Sequence, residues 1–369
     1  MRIGIDCRLW SVSTGRYVRE LIRNLSDLDQ ENEYVLFLLK EDLDKPQVPE
    51  NFKKVVANFP IHSFTEQFFM PFYALRERLD LLHVPYINVP ILYPKKFIST
   101  IHDLTILKVN TGRASTRSFL FYQIRRLGFR IAIWFCVFRS RKIITVTNFV
   151  KQDIIDTFGI SPEKIVVARN GVSGEFRKES PARVAEALNK YNINKPYLFY
   201  VGNAHPHKNV EGLLKAFNQA SEERPDLTLV LGGDKHFFYE RLEKEWGNKP
   251  IFKKLNFTGF IDDEDLPAIY TGAELFVNPY MFEGFGLQLL EAFSCGTKVA
   301  SSNATSLPEV GGDAAYYFDP YNVEDMANTI LEALEGGSGD KVKLGFERIK
   351  DFSWEDFTKI HLKTYLETK

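Results

Sequence analysis

The sequence predicts an α/β protein in which parallel strands carry helices on both faces, repeated in two domains. Three observations lead there. Short β-branched or aromatic runs alternate with longer stretches of helical apolar period from the N-terminus onward. The same alternation restarts at Tyr197 after a polar stretch. The length, 369 residues, exceeds what a single core of ordinary size organises.

Strand-like runs in the first half are 2–6, 34–39, 54–57, 81–84, 97–101 and 142–146. Between the first two, Tyr17, Val18, Leu21, Ile22 and Leu25 mark one helical face, so a helix starts near Gly15. An anion or sugar can approach that glycine; an ordinary turn is the alternative. His102 follows strand 97–101 directly, which places it at a strand's C-terminal end, the ligand side of an open sheet. It reads either as a partner for a substrate hydroxyl or as a structural histidine paired with Asp103. Residues 104–152 hold ten Lys or Arg and no acid, interleaved with aromatic residues. Within them, 113–142 has the character of a basic amphipathic helix that lies on an anionic membrane surface. Arg130 argues against spanning, and a core-packed helix with solvated or phosphate-holding arginines is the alternative. A helix from Thr147, a strand at 165–168 and an Asn170-Gly171 turn follow. The first domain is then 1–173, and 174–195 is a linker before a second domain at 196–353.

In that second domain, strand 197–201 leads into Gly202-Asn203-Ala-His-Pro-His207-Lys208-Asn209 and a helix with apolar Val210, Leu213, Leu214 and Phe217. Asn209 is its expected N-cap. Lys208 beside a helix N-terminus suits phosphate oxygens, although a surface lysine is the common case. Further strands are expected at 227–231, 255–258, 275–278, 298–301 and 315–318, with Gly232-Gly233-Asp234 at a crevice rim. The richest stretch is Glu283-Gly-Phe285-Gly286-Leu287…Glu291, two acids eight positions apart between two strands. Gly284 and Gly286 let backbone N–H groups approach a ligand, and a helix from Leu287 points its positive end there. Phosphate plus sugar or ribose hydroxyls is the simplest guest, because carboxylates accept from OH groups. A solvated acid beside an ordinary turn is the alternative. Residues 306–312 read as a turn, 336–339 as a flexible loop, and the final helix, 354–369, as packing back on the first domain.

Composition excludes some classes. Apolar residues are 44% and charged residues 26%, as in ordinary globular proteins, and a net charge of −1 gives no electrostatic case for nucleic acid. Cys7, Cys136 and Cys295 lack metal-ligand spacing and read as reduced, buried thiols of a cytoplasmic protein. No signal-peptide pattern opens the chain, and no run of apolar residues suffices to span a bilayer. The expected place is the cytoplasm, peripheral on the inner face of the membrane.

Taken together, Ile101-His102-Asp103, Gly202…His207-Lys208-Asn209, Glu283-Gly-Phe-Gly-Leu…Leu290-Glu291-Ala…Cys295-Gly296 and Ser306-Leu-Pro-Glu309 resemble the retaining family 4 glycosyltransferases over almost the full chain. The resemblance implies a GT-B fold, two Rossmann-like domains facing each other across a cleft, with the acceptor in the first and the nucleotide sugar mainly in the second. It implies Lys208 on the donor diphosphate, Glu291 on the ribose hydroxyls and Glu283 against the transferred sugar. Phe285, Gly286 and Leu287 would offer backbone N–H groups, His102 would bond the donor sugar, and Gly15, Gly202 and Asn203 would line the donor loops. No metal and no cofactor beyond the nucleoside-diphosphate sugar co-substrate is implied. Three departures stand out: Asn203 and His207 where many members carry a further arginine, Ser13-Thr14-Gly15 where a Gly-Gly pair is frequent, and Gln288 where proline often follows Leu287. A GDP-mannose-type donor is favoured, with UDP-sugars next, and a glycan or polyprenyl-linked acceptor in bacterial surface-polysaccharide synthesis. A sugar-nucleotide epimerase of the same fold and a non-catalytic two-domain sugar-binding protein are the rivals.

Overall fold

The computed structural model describes residues 1–12, 14–61, 63–109, 119–234 and 237–368, so 113–118 of the basic aromatic segment lie outside the described residues. The chain divides into two units, Met1–Gly171 with Ser353–Lys369, and Val172–Phe352.

Seven parallel strands form the first unit's sheet: β1 (Arg2–Asp6), β2 (Glu33–Leu38), β3 (Phe52–Val56), β4 (Leu81–Val84), β5 (Phe97–Ile101), β6 (Ile143–Thr145) and β7 (Ile165–Val167), in the order β3-β2-β1-β4-β5-β6-β7. Its helices are α1 (Gly15–Leu28), α2 (Phe64–Arg76), α3 (Thr105–Lys108), α4 (Phe119–Arg139) and α5 (Asn148–Phe158). The connection through α1 moves across the sheet in one direction, and those through α2, α4 and α5 move in the other. Right-handed crossovers therefore put α2, α4 and α5 on one face and α1 on the opposite face. Packing agrees: Met70 and Ala74 of α2, Ile133, Cys136 and Val137 of α4, and Val150 and Ile154 of α5 share one core cluster.

On the α1 face, Tyr17, Val18, Leu21, Ile22 and Leu25 are buried, and a C-terminal helix (Trp354–Glu367) lies beside them. Two buried polar contacts hold it there. Tyr17 Oη meets His361 Nε2 at 2.5 Å, and His83 Nδ1 meets Tyr365 Oη at 2.8 Å. Because His361 Nδ1 lies 2.7 Å from the Phe357 carbonyl, which only accepts, that nitrogen carries the ring proton. Nε2 is then the acceptor from Tyr17. Burial pushes His361 down to about 4, which keeps the ring neutral in this arrangement.

The second unit has six parallel strands, β8 (Tyr197–Val201), β9 (Thr228–Gly232), β10 (Leu255–Gly259), β11 (Leu275–Asn278), β12 (Val299–Ser302) and β13 (Ala315–Phe318), ordered β10-β9-β8-β11-β12-β13. Residues 174–195, expected as a linker, are instead part of this unit. They carry α6 (Pro181–Lys190), capped by the Ser180 hydroxyl, with Val184, Ala187 and Leu188 buried. The modest helical pattern inside this polar stretch is enough to bury one apolar stripe. Helices α7 (Val210–Glu223), α8 (Phe237–Trp246), α9 (Leu266–Gly272) and α10 (Leu287–Ser294) alternate with the strands. The 306–312 segment, expected as a turn, forms α11 (Leu307–Gly311), because Pro308 suits a first helical turn. After α12 (Val323–Glu335), the expected 336–339 loop is cut short by α13 (Ser338–Arg348). Among the described residues, no helix is long and apolar enough to cross a membrane.

Candidate active site

The strands of the second unit end in loops that gather the predicted donor residues at one sheet edge. β8 leads into Gly202 and β9 into Gly233, whose φ angles are +150° and +151°. A Cβ on Gly233 would sit 2.2 Å from the Gly202 carbonyl oxygen, so the two loops can touch only through glycine. Tyr239 Oη donates to that carbonyl at 2.8 Å, and Tyr200 Oη donates to the Asn203 carbonyl at 2.6 Å. The Asn203 side chain accepts from the His205 amide at 3.3 Å, which shapes the turn before Lys208. Asn209 occupies the N-cap of α7 with φ 52°, but its side chain does not cap the helix as expected. It donates instead to the Pro320 carbonyl at 2.8 Å and ties the loop to the end of β13.

Lys208 makes an ion pair with Glu283, its Nζ donating to Oε2. The same ammonium lies 3.8 Å from the centre of the Tyr280 ring, a cation–π contact. Both charged side chains are largely buried, 14% and 19% exposed. Burial alone pushes the Glu283 carboxyl up; the charge of Lys208 and its hydrogen bond offset this and leave it below the usual carboxylate range. It is therefore an anion at neutral pH. His207, by contrast, is pushed down to about 4, first by burial and then by the charge of Lys208. It is neutral at pH 7 and supplies no second positive charge.

The backbone of Glu283 is clamped at both ends. Its N–H donates to the Thr305 hydroxyl at 3.2 Å, and its carbonyl accepts from the Ser306 hydroxyl at 2.8 Å. Thr305 holds φ 58°, a region that β-branched residues rarely enter. Strain of this kind persists where surrounding contacts over-determine the geometry, and it clusters at functional sites. Gly286, with φ 92°, starts α10, and a Cβ there would meet Leu307 Cδ2 at 2.6 Å. Leu287 is the first residue of that helix. One turn on, Glu291 is buried and accepts a hydrogen bond from Tyr270 Oη at 2.9 Å. The arrangement brings together a buried ion pair, a strained loop and the N-terminus of α10, whose backbone N–H groups carry partial positive charge.

Known proteins decide the family. Residues 184–344 match the family described as Glycosyl transferases group 1, and residues 14–176 match Glycosyltransferase Family 4. Over 372 aligned residues, covering 95% of both chains, the sequence is 30% identical to the O-antigen chain mannosyltransferase B of Escherichia coli. The chain belongs to the family 4 glycosyltransferases. Its fold is GT-B: the sucrose-phosphate synthase of Thermosynechococcus elongatus aligns with TM-score 0.78 at 20% identity, over 100% of this chain and 98% of that one. HepE of Anabaena, solved in complex with UDP-glucose, aligns with TM-score 0.76 at 16% identity over 100% of both.

Within this glycosyltransferase the predicted residues separate by unit. Lys208 and Glu283 come into direct contact, and the Phe285 amide favours the charged form of the Glu283 carboxylate. Gly202, Asn203, Gly286, Leu287 and Glu291 belong to the same sheet edge or the helix behind it. Gly15 and His102 belong to the first unit. A Cβ on Gly15 would sit 2.2 Å from the Leu9 carbonyl oxygen and 2.3 Å from that of Trp10, so the first loop's own folding requires glycine there. His102 follows β5, as expected, and its Nε2 donates to the Pro85 carbonyl at 2.9 Å. The Tyr17 ring meets the imidazole edge-to-face with centroids 4.8 Å apart. The Asp103 carboxylate accepts from the Thr105 amide at 2.7 Å, just before α3. Tyr280, Thr305 and Tyr270 carry no motif that singles them out, and Ser306, which opens the Ser306-Leu-Pro-Glu309 motif, has no role assigned by it. Tyr280 had one available signal: it follows a strand end, where side chains reach the ligand edge.

Proposed function

We propose that this chain transfers a hexose, mannose from GDP-mannose in first place, to a hydroxyl of a glycan or polyprenyl-linked acceptor in surface-polysaccharide synthesis, with retention and without a metal. The observation that carries the reading is the Lys208–Glu283 pair at the strand-end edge, with Glu291 one helical turn behind it. The 30% identity to an O-antigen chain mannosyltransferase over 95% of the chain supports the choice of sugar. In this reading Lys208 exchanges Glu283 for the donor diphosphate, which frees the carboxylate to face the sugar, while Glu291 holds the ribose. The bond between sugar C1 and the phosphate oxygen breaks. The acceptor oxygen bonds to C1 on the same face, and its proton passes to the departing phosphate. Glu283, kept anionic by its surroundings, supports the positive charge that develops on the sugar ring, an electrostatic role. His102 is assigned to the donor sugar, Gly15, Gly202 and Asn203 to the donor loops, and the amides of Gly286 and Leu287 to phosphate oxygens. The 113–142 segment holds the enzyme peripherally on the cytoplasmic face of an anionic membrane.

Thermal-shift screening with GDP-mannose, UDP-glucose and ADP-glucose tests the donor, because a bound ligand raises apparent stability by mass action. GDP-mannose gives the largest shift; a larger shift with either other donor overturns the mannose assignment. The anomeric configuration of the product tests retention, and turnover unchanged by EDTA tests metal independence.

A further inference from the structure

The outer surface of the first unit leaves two aromatic stripes uncovered. On α2, Phe64, Phe68, Phe72 and Leu75 recur at three- or four-residue intervals and are exposed, Phe64 by 85% and Phe68 by 68%. On α4, Leu127, Ile131, Trp134 and Phe138 repeat the spacing, with Trp134 51% exposed. The opposite sides of both helices enter the same core cluster, so the two stripes face outward from the same side of the sheet. Leu92, in the segment between β4 and β5, is exposed too. Single exposed apolar side chains are ordinary, but two such stripes in one layer mark an interaction surface.

Charge indicates what covers it. Lys95, Lys96, Arg139, Arg141, Lys142 and Lys164 line a concavity where α4 ends and β5 and β6 begin, with Asp80 and Glu163 as its acids. Lys142 and Lys164 donate to the main-chain carbonyls of Glu163 and Phe138 at 2.9 and 2.8 Å. None of the six forms an ion pair with a carboxylate among the described residues. Aromatic stripes bordered by uncompensated cations match a layer of lipid phosphates over acyl chains. A second copy of the chain would bring the same cations with it and neutralise none of them.

We infer that α2 and α4 together form one footprint that rests on an anionic bilayer, aromatic side chains in the headgroup layer and the cations at its edge on lipid phosphates. This rests on the membrane reading above and extends it from 113–142 to a second helix and to Lys95, Lys96 and Lys164. Flotation with vesicles of equimolar phosphatidylglycerol and phosphatidylcholine tests it, using the full chain, a Phe68→Ser/Phe72→Ser variant, an Ile131→Ser/Trp134→Ser variant and Lys95→Gln/Lys96→Gln. The expected result is binding by the unaltered chain, lost about tenfold or more in each aromatic variant and weakened in the lysine variant, with salt weakening all of it. All four proteins should keep the same circular-dichroism melting temperature. If the α2 variant floats like the unaltered chain while the α4 variant does not, the shared footprint is overturned and the single-helix reading survives. Failure of the unaltered chain to float overturns both. A dimer in sedimentation that Phe68→Ser/Phe72→Ser dissociates assigns the face to a second copy and also overturns the inference.

Discussion

At the strand-end edge of the second sheet, a lysine and a glutamate are largely buried and neutralise each other; over the outer face of α2 and α4, phenylalanines and a tryptophan stand in water. Each region reverses the ordinary placement of its residue type. The buried charges are tolerated because each has a partner, and removing one strands the other. The exposed rings have no such coupling to the fold, since the core-facing side of each helix is packed without them. A residue that the fold does not need in its place, and one that the fold holds only through a single partner, are both signs of an external ligand. They differ in how mutation reveals them: the first through binding alone, the second through binding and stability together.

The largest effect is expected at the pair. Lys208→Ala should remove about 2–4 kcal/mol of transition-state stabilisation in kcat/KM and also lower the melting temperature, because Glu283 is left uncompensated. Lys208→Ala/Glu283→Ala should regain much of the melting temperature and none of the turnover. Unaltered kcat/KM in the single variant would remove Lys208 from the site.

Next comes the pH dependence of stability, measured by denaturant unfolding. His361 is buried and held at about 4 against an ordinary 6.5, so the unfolded chain takes up its proton first as pH falls. Stability is then complete above pH 6.5 and declines through the window down to about 4, by roughly 3 kcal/mol from this one residue. His207 adds to the decline in the second unit with the same sign. His361→Gln should flatten the acid limb without moving the neutral plateau of donor binding. An unchanged limb contradicts the neutral, buried assignment.

A smaller effect separates strain from contact in the clamp on Glu283. Thr305→Gly relieves a left-handed threonine, worth about 1 kcal/mol, yet loses the hydroxyl that receives the Glu283 amide. Melting temperature should stay or rise while kcat falls; a fall in both would mean the loop, not the carboxylate, depends on Thr305. The smallest effect is expected from Phe68→Ser, within about 0.5 kcal/mol of unaltered stability by denaturant unfolding, because the ring is 68% exposed. A loss above that range would place the ring in the core and dissolve the contrast drawn between the two regions.

What could be read from the sequence was local. The acid, glycine, glycine, helix order of 283–291 lies within one strand-loop-helix unit, so its placement at a sheet edge follows from periodicity and turn chemistry alone. His102 stands out by its position just past a strand, and Lys208 by its place beside a helix N-terminus. Reading failed where residue type and location part company. α2 gives no readable pattern because its phenylalanines serve no buried stripe and Pro71 sits inside it, and 174–195 reads as a linker because its few apolar residues are spaced along a short helix.

The sequence by itself determined the α/β architecture, the family and the residues at the strand ends, since each depends on patterns shorter than one βα unit. Only the tertiary structure decided who meets whom. Lys208 and Glu283 are 75 positions apart, and Tyr17 and His361 are 344 apart. No local propensity specifies such a pair, because strand order in a parallel sheet is set by long crossovers that bury their helices. The same crossovers decided that α2 and α4 share a face, and hence that their exposed aromatic side chains form one surface.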